Sequence, residues 1–431
     1  MASSPVSAQE LDSRHPGSAG PELRVVRPRR ARPAEAARAT RAEINLAHVR
    51  HNLRELQACV RADAAAAQRL EVAQVWCVLK ADGYGHGARA VAITLEHAGV
   101  AGLCVALLEE GMELRNAGVR CPVLVMGGYW GRHRDGVEAL LENDLTPVIY
   151  DEHQISTLTA TARYLYPEER RPIDVHLKVD TGMGRLGVRE EGLGDVLAAL
   201  RAAPELQLGG LMTHLACADS ESLDQTHEQL AAFERATDVV HQLGFRPAVR
   251  HAANSAALLR APRTHFDVVR PGIAVFGVHP CPSGSHESAR AANLRPVMRV
   301  LSEVVALREL PVGQALGYDH SWRATRPSRI ATIPMGYADG LSRALSNRGQ
   351  VLVCGKRAPI VGHVSMDLTM VDVTDIPGVC VRDEVVVLGE QHGRQGSDHI
   401  SADDLASQSG TVAWECLTSV SRRVPRFYRH P

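Results

Sequence analysis

Short apolar runs recur through the middle of the chain, and amphipathic helical patterns lie between most of them. The runs are 75–79, 103–106, 123–126, 146–149, 173–179, 208–213, 247–251 and 268–275. Each run has the length of a strand. Runs that are mostly apolar are typical of strands that are buried on both faces of a sheet. Eight such strands, alternating with helices over roughly 230 residues, are typical of a (β/α)8 barrel. The pattern therefore predicts an α/β fold whose active site lies at the carboxyl ends of the strands.

The pattern changes on both sides of this region. Residues 1–40 are rich in Pro, Ala, Ser and Arg, a composition that buries too little apolar surface to fold, so we expect a disordered tail. An alternating strand at 42–46 then leads into a helix. After residue 292, apolar runs separated by Gly, Pro and Asp predict a mostly β domain with short terminal helices. The expected division is a tail at 1–40, a barrel at 41–292 and a β domain at 293–431.

Composition and charge narrow the possible partners. With 48 basic and 49 acidic residues the net charge is −1, so no electrostatic footprint for nucleic acid or an anionic membrane is present. No apolar run is long enough to span a bilayer, and the first residues lack the apolar segment of a signal peptide. The nine cysteines are scattered singly, without the spacing of a zinc site. We expect a cytoplasmic protein with reduced thiols and no metal.

A lysine stands at the end of the first barrel strand, in the stretch WCVLKADGYGHG at 76–87. Lys80 is followed by Gly83, Gly85 and Gly87, which permit a tight turn and close approach of the backbone to a ligand. The neutral lysine amine forms Schiff bases with carbonyl compounds, including pyridoxal phosphate. The stretch could therefore hold a phosphate-bearing cofactor beside an amine. A lysine that covers apolar surface next to an ordinary turn fits these residues equally well.

Polar residues also follow the later strand runs. On a barrel they would meet at one mouth, and this convergence indicates an active site, although each residue alone has a structural role as its alternative. These residues are Lys178, Arg185, His214, His251, Asn254 and Arg270.

The stretch from Lys80 to Gly87 resembles the cofactor-lysine motif of the alanine racemases, Lys-Ala-Asn/Asp-Ala-Tyr-Gly-His-Gly, and departs from it only by glycine at 83. The resemblance continues in order along the chain, from about residue 41 to 428. The further strings are KVDTGMGRLG (178–187), THLACAD (213–219), HAANSAA (251–257), RPGIAVFG (270–277), LGYDHSW (316–322), MGYADGLSR (335–343), VGHVSMDLTMVDV (361–373) and GTVAWECLTSVSRRVPRFY (410–428).

The resemblance implies a homodimeric fold-type III enzyme that interconverts L-alanine and D-alanine with pyridoxal 5'-phosphate. Lys80 and Tyr318 of the partner subunit would carry out two-base proton transfer at Cα of the substrate's aldimine. A carbamate on Lys178 would hold Arg185, which reaches the cofactor's phenolic oxygen and the substrate carboxylate. The amide of Met366 would also meet that carboxylate.

The resemblance also implies a set of cofactor contacts. Arg270 would face the pyridine nitrogen, and because a guanidinium stays charged, the nitrogen would remain unprotonated and a weaker electron sink. A short-lived carbanion limits side reactions, which suits a racemase. The other residues implied to bind the cofactor are Lys80, Tyr84, His214, Asn254, Ser255, Gly272, Ile273 and Trp414.

Three departures from the family strings leave the substrate open. His363 stands where arginine is usual, Leu368 where glutamine is usual, and Trp414 where tyrosine is usual. A racemase of serine or of broader specificity is therefore one alternative. A basic-amino-acid decarboxylase shares the barrel-plus-β plan but uses different strings around its lysine. A non-catalytic pyridoxal-phosphate carrier would leave the β domain with Tyr318 and Met366 unexplained.

Overall fold

The computed structural model describes residues 38–128, 134–167, 171–281, 290 and 293–429. The first described elements are β1 (Arg41–Asn45) and α1 (Leu46–Ala66). The apolar face that spacing predicts for α1 is buried, from Leu46 to Val60. Asn45 caps the helix by accepting a hydrogen bond from the Ala47 amide at 3.0 Å.

Eight parallel strands form a nearly closed barrel, in the order β8-β7-β6-β5-β4-β3-β2-β9. Each of the eight predicted runs overlaps one of these strands, so the (β/α)8 prediction is confirmed. The strands are β2 (Gln74–Val78), β3 (Gly102–Val105), β4 (Val123–Val125), β5 (Thr146–Ile149), β6 (Ile173–Lys178), β7 (Leu206–Met212), β8 (Val249–His251) and β9 (Val268–Val269).

Helices connect the barrel strands. Along the barrel they are α2 (Lys80–Tyr84), α3 (Ala88–His97), α4 (Leu108–Asn116), α5 (Arg134–Glu142), α6 (Glu152–Leu165), α7 (Leu193–Arg201), α8 (Asp224–Gln242) and α9 (Ser255–Arg260). None of the helices among the described residues combines the length and the apolar character that a membrane span needs.

The last barrel strand is shorter than predicted. The run 268–275 forms a strand only at Val268–Val269, and a 3-10 turn occupies Ile273–Phe276. Pro271 lacks the amide hydrogen that a ladder needs, so the strand cannot continue through it. Arg270 and Gly272 are consequently placed in a turn at the barrel mouth.

The region after residue 292 is mostly β, as predicted. Its main sheet has the strand order β16-β15-β18-β10-β1-β20, with β19 paired to β18; β11-β14-β17 form a second sheet, and β12-β13 a hairpin. The strands are β10 (Met298–Glu303), β11 (Ala306–Leu310), β12 (Ala315–Leu316), β13 (Trp322–Arg323), β14 (Ser328–Ile333), β15 (Gln350–Val353), β16 (Lys356–Pro359), β17 (Thr369–Asp372), β18 (Glu384–Gly393), β19 (Gly396–Ile400) and β20 (Arg426–Arg429). Two helices, α10 (Ala402–Ser409) and α11 (Ala413–Ser419), precede β20.

The strand expected at 42–46 is present as β1, but it pairs with the β region rather than with the barrel. It runs antiparallel to β10 and parallel to β20. Chain segments from both ends of the molecule therefore share one sheet. The domain limits at 292 and 293 stay a prediction.

The predicted tail at 1–40 lies outside the described residues as far as residue 37. The three residues that follow belong to the folded chain. Thr40 is fully buried, and its hydroxyl lies 2.9 Å from that of Ser302 and donates to the Pro334 carbonyl at 2.7 Å. The expectation of a tail up to residue 40 is therefore wrong for residues 38–40, because their polar groups find partners in the β region.

One buried carboxylate fixes β1 between its neighbours. Glu43 is 3% exposed and forms ion pairs with Arg41 at 3.1 Å, Arg299 at 3.5 Å and Arg429. Arg299 lies on β10 and Arg429 on β20. Since the carboxylate compensates arginines from both adjacent strands, its loss leaves several cations close together.

We predict that Glu43→Ala lowers the free energy of unfolding by about 2 kcal/mol, because a buried acceptor of charged hydrogen bonds is lost. Urea unfolding followed by circular dichroism measures the change. The matched control is Glu309→Ala, which removes an ion pair with Arg329 whose carboxylate is 78% exposed. Equal destabilisation by both variants would contradict the conclusion that Glu43 holds β1 between β10 and β20.

Candidate active site

Lys80 lies two residues after the end of β2 and begins a turn with left-handed backbone conformation. Ala81, Asp82 and Gly83 have φ between 53° and 61°, and Tyr84 has φ 52°. Residues with a Cβ atom adopt this conformation at a cost of about 1–2 kcal/mol each. The sequence predicts a tight turn from its glycines, but three of these four positions carry a side chain, so surrounding contacts must hold the turn.

Contacts from two directions hold the turn. On the barrel side, the Ala81 amide donates to Glu110 Oε1 at 2.6 Å. On the side of the β region, Arg426 Nη2 donates to the Gly85 carbonyl at 3.0 Å. A Cβ atom on Gly85 would lie 2.3 Å from the Leu417 carbonyl oxygen, so only glycine fits there. The position of Lys80 therefore depends on both parts of the chain.

Side chains from the strand ends line a cavity of about 240 Å3. All nine residues implied to bind a cofactor line it: Lys80, Tyr84, His214, Asn254, Ser255, Arg270, Gly272, Ile273 and Trp414. Sequence reasoning did not single out the other eight lining residues, which include Met126, Met183, Leu215 and Asp219. The methionines gave no signal because each reads as part of an ordinary strand end or turn.

The amines of the site are surrounded by positive charge. Burial lowers the pKa of Lys80 and Arg185 lowers it further, while Glu110 raises it in part. Burial also lowers the pKa of Lys178 to about 8, and Arg185 and Arg270 add to the effect. Lys178 is 5% exposed at the end of β6. Both amines are therefore easier to deprotonate than an exposed lysine, which makes them better nucleophiles.

The chain contains only three lysines, Lys80, Lys178 and Lys356. Lys80 lines the cavity, Lys178 does not line it but is close enough to lower the pKa of His214, and Lys356 is exposed on β16. Arginine carries almost all the other positive charge of the protein. Lysine, the basic residue whose pKa shifts readily on burial, therefore occurs mainly in the region of the cavity.

Arg270 is 3% exposed and begins a chain of buried hydrogen bonds. Its Nη1 donates to His251 Nδ1 at 2.6 Å, and its Nη2 donates to the Thr213 carbonyl at 2.8 Å. Because arginine only donates, His251 Nδ1 must accept, and His251 Nε2 then donates to His176 Nδ1 at 2.8 Å. His251 therefore supports Arg270 from behind and does not line the cavity as sequence reasoning placed it.

The histidines of the site are neutral. Burial, followed by the charge of Arg270, lowers the pKa of His176 to about 3 and that of His251 well below its usual range. Burial and then Arg270 likewise lower the pKa of His214 to about 3. Arg270 thus keeps the charge, and the imidazoles serve as fixed hydrogen-bonding groups.

Another part of the cavity lining consists of a hydroxyl and backbone amides. Ser255 Oγ accepts from the Gly272 amide at 2.8 Å and from the Ala274 amide at 3.4 Å. A Cβ atom on Gly272 would lie 2.3 Å from the Tyr84 hydroxyl, so glycine lets these groups meet. Asn254 caps α9 by accepting from the Ala257 amide at 3.0 Å. Because Ser255 Oγ only accepts in these contacts, its hydroxyl hydrogen can still donate to a group such as phosphate.

Two residues implied by the resemblance lie elsewhere. Tyr318 is 70% exposed, in a 3-10 turn between β12 and β13, and Met366 is 52% exposed. Neither lines the cavity within the part of the chain that the structure describes. Arg185 is near enough to lower the pKa of both lysines but does not line the cavity either. In a single chain the cavity therefore has Lys80 but not Tyr318.

Comparison with known proteins agrees with this geometry. Residues 44–280 match the family model described as alanine racemase, N-terminal domain, and residues 297–428 match alanine racemase, C-terminal domain. An alanine racemase of Sorangium cellulosum is 57% identical over 394 residues, which cover 91% of this chain and 100% of that protein.

Solved structures are similar over nearly the whole chain. The alanine racemase from D-cycloserine producing Streptomyces lavendulae has a TM-score of 0.82 at 32% identity, covering 92% of this chain and 98% of that one. The alanine racemase from Bartonella henselae, with covalently bound pyridoxal phosphate, has a TM-score of 0.77 at 29% identity and covers 91% and 99%. Both family models, the curated relative and these structures agree: the chain belongs to the alanine racemase family, whose members are isomerases.

Proposed function

We propose that this chain interconverts L-alanine and D-alanine as a pyridoxal-phosphate-dependent homodimer, with Lys80 and Tyr318 of the partner subunit as the two bases. One observation carries the proposal: all nine residues implied to bind the cofactor line a single cavity that includes Lys80. The family membership supports the same activity.

The cavity fits pyridoxal 5'-phosphate at both ends. Lys80 offers an amine with a lowered pKa for the cofactor's carbonyl carbon. The Ser255 hydroxyl and the Ile273 amide are donors suited to its phosphate, the Gly272 amide adjoins them through its bond to Ser255 Oγ, and Arg270 suits its ring nitrogen. The remaining lining residues Tyr84, His214, Asn254 and Trp414 would enclose it. When bound, the cofactor supplies an electron sink for the negative charge that forms at the substrate Cα.

Proton transfer would then use one base on each face of the substrate. Lys80 Nζ takes the proton from Cα of D-alanine, or returns it, because burial and Arg185 make its neutral form more accessible. Tyr318 of the partner subunit exchanges the proton on the opposite face. Arg270 keeps its charge next to neutral His251, and a cation at this place disfavours protonation of the cofactor's ring nitrogen.

A homodimer explains why the second base is exposed. Tyr318, Met366 and Leu368 are 70%, 52% and 44% exposed on the β region. Their loops touch, since His363 Nε2 lies 3.4 Å from Asp319 Oδ2 next to Tyr318. Exposed apolar surface of this kind marks an interface. In a two-fold dimer each chain would place its Tyr318 in the partner's cavity.

The proposed carbamate on Lys178 rests on its electrostatics. A neutral amine attacks CO2, forming an N–C bond and releasing one proton, so the pKa of about 8 leaves a usable neutral fraction at neutral pH. The product carries a negative charge next to Arg185 and Arg270. Attraction between these groups would hold Arg185 toward the substrate.

We predict that Tyr318→Phe lowers kcat about 10²- to 10⁴-fold, the usual contribution of a positioned acid–base group. Loss of Cα proton exchange should be confined to L-alanine, whereas D-alanine should still exchange through Lys80. NMR in D2O with added pyridoxal phosphate measures both rates. The control is Tyr164→Phe, whose ring is 64% exposed on α6. Equal loss for both enantiomers would contradict a two-base mechanism, and exchange of serine but not alanine would contradict alanine as the substrate.

Because only three lysines are present, cofactor attachment can be mapped directly. We predict that borohydride reduction of the protein with bound pyridoxal phosphate fixes the cofactor on Lys80 alone, as seen by peptide mass spectrometry. Lys80→Arg should abolish the attachment. Labelling of Lys178 or Lys356 instead would contradict the assignment of Lys80.

For Lys178 we predict one carbamate resonance in 13C NMR with 13C-bicarbonate, lost in Lys178→Ala and kept in Lys356→Ala. Its intensity at fixed dissolved CO2 should rise with pH through about 8, because the pKa of Lys178 is lowered to that value and the neutral amine dominates above it. A resonance that survives in Lys178→Ala would overturn the site.

A further inference from the structure

Asp339 has a side chain with no solvent exposure, and arginines from both ends of the chain bind it. Arg38 Nη1 donates to Asp339 Oδ1 at 2.8 Å, and Arg38 Nη2 donates to Oδ2 at 2.5 Å. The Arg38 Nη2 also donates to the Pro334 carbonyl at 2.8 Å. The two-pronged contact with the carboxylate fixes both distance and orientation.

The same carboxylate holds the loop that begins at Gly336. Asp339 Oδ2 accepts from the Gly336 amide at 3.1 Å. The next two amides pair across to a second loop: Tyr337 donates to the Ser365 carbonyl at 3.0 Å, and Ala338 donates to the Met366 carbonyl at 3.1 Å. The position of Met366 therefore depends on the loop that Asp339 organises.

A second arginine joins the two loops directly. Arg423 Nε lies 3.5 Å from Asp339 Oδ1, and Arg423 Nη2 donates to Asp367 Oδ1 at 2.6 Å. Asp367 is the neighbour of Met366. The side chain of Arg38 is 29% exposed and that of Arg423 is 46% exposed, so Arg38 is the better shielded of the two cations. Loss of Arg38 leaves the buried carboxylate with the Gly336 amide and the half-exposed Arg423, so it loses its two-pronged cationic contact.

We propose that Arg38 is a positioning residue for the substrate carboxylate. Arg38 holds Asp339, and Asp339 in turn orders the loop that carries Met366. The inference rests on the proposed function, in which the Met366 amide meets that carboxylate. Met366 and Tyr318 both lie on the exposed β region, outside their own chain's cavity. Arg38 thus acts on substrate binding in the partner's cavity, while the groups that bind the cofactor remain untouched.

The proposal is tested with Arg38→Ala and Arg38→Lys in the full chain with pyridoxal phosphate. We expect Arg38→Ala to raise KM for L-alanine and D-alanine about tenfold, the loss expected when a charged hydrogen-bonding fork is removed, with kcat changed less. Cofactor affinity should be unchanged. Arg38→Lys should restore part of the affinity, because it keeps the charge but not the fork.

Two controls separate positioning from general stability. Arg326→Ala breaks an ion pair with Asp375 between residues that are 51% and 74% exposed in the same region, and should leave KM unchanged. Arg423→Ala should raise KM in the same direction as Arg38→Ala, since both arginines act on Asp339. If Arg38→Ala keeps the KM of the unmodified chain, or if KM, cofactor affinity and the unfolding midpoint all change together, the proposal is overturned.

A readout independent of activity distinguishes this proposal from the proposed function. Hydrogen exchange followed by mass spectrometry should show faster exchange at 336–340 and 363–368 in Arg38→Ala than in Arg326→Ala. An unmodified chain that binds the cofactor but racemises no alanine would refute the proposed function, while the exchange data would still decide whether Arg38 orders these loops. Unchanged exchange at both segments would refute the role of Arg38.

Discussion

The left-handed turn after Lys80 is the constraint on which the rest of the site depends. A backbone in this conformation at Ala81 and Asp82 is unfavourable by itself, so it persists only because neighbouring groups hold it. Glu110 holds it from the barrel, and Arg426 holds it from the last strand of the chain. The reactive amine is therefore placed by contacts that exist only when the barrel and the β region are assembled. This explains why the strand that carries Arg426 lies next to β1, close to where the barrel begins.

Positively charged side chains outweigh negatively charged ones in the electrostatics of the cavity. Burial and the charge of Arg185 lower the pKa of both Lys80 and Lys178, Arg270 also lowers that of Lys178, and Glu110 opposes the shift at Lys80. Burial, reinforced by the surrounding positive charge, keeps His214 neutral and makes both amines better nucleophiles. The same charge attracts anionic groups such as a phosphate and a carboxylate. One arrangement thus serves cofactor binding, substrate binding and the activation of lysine.

The sequence predicted the barrel because buried parallel strands appear in a sequence as short apolar runs. It predicted the cavity residues because they follow those runs, and because their strings resemble a family. It could not predict the pairing of β1 with β20, since alternation shows that a strand has two faces but not which strand lies beside it. Arg38 was assigned to the tail because its neighbours are Ala, Arg and Pro, and only the tertiary structure supplies its partner Asp339. The left-handed turn could not be predicted either. Ala81 and Asp82 favour other conformations, and only tertiary contacts hold them in this one.

The two ends of the described chain meet at Asp339, and this has a consequence for how the site forms. Arg38 and Asp339 are separated by 301 positions, and Arg426 and Gly85 by 341. Contacts of such sequence separation form late, because the loop between them must close before they contribute any stability. Most barrel strands pair with strands that are near in the sequence, whereas the turn at Lys80 and the loop at Met366 also need the terminal segments. We therefore expect the geometry of this turn and this loop to be completed only when the terminal segments have docked.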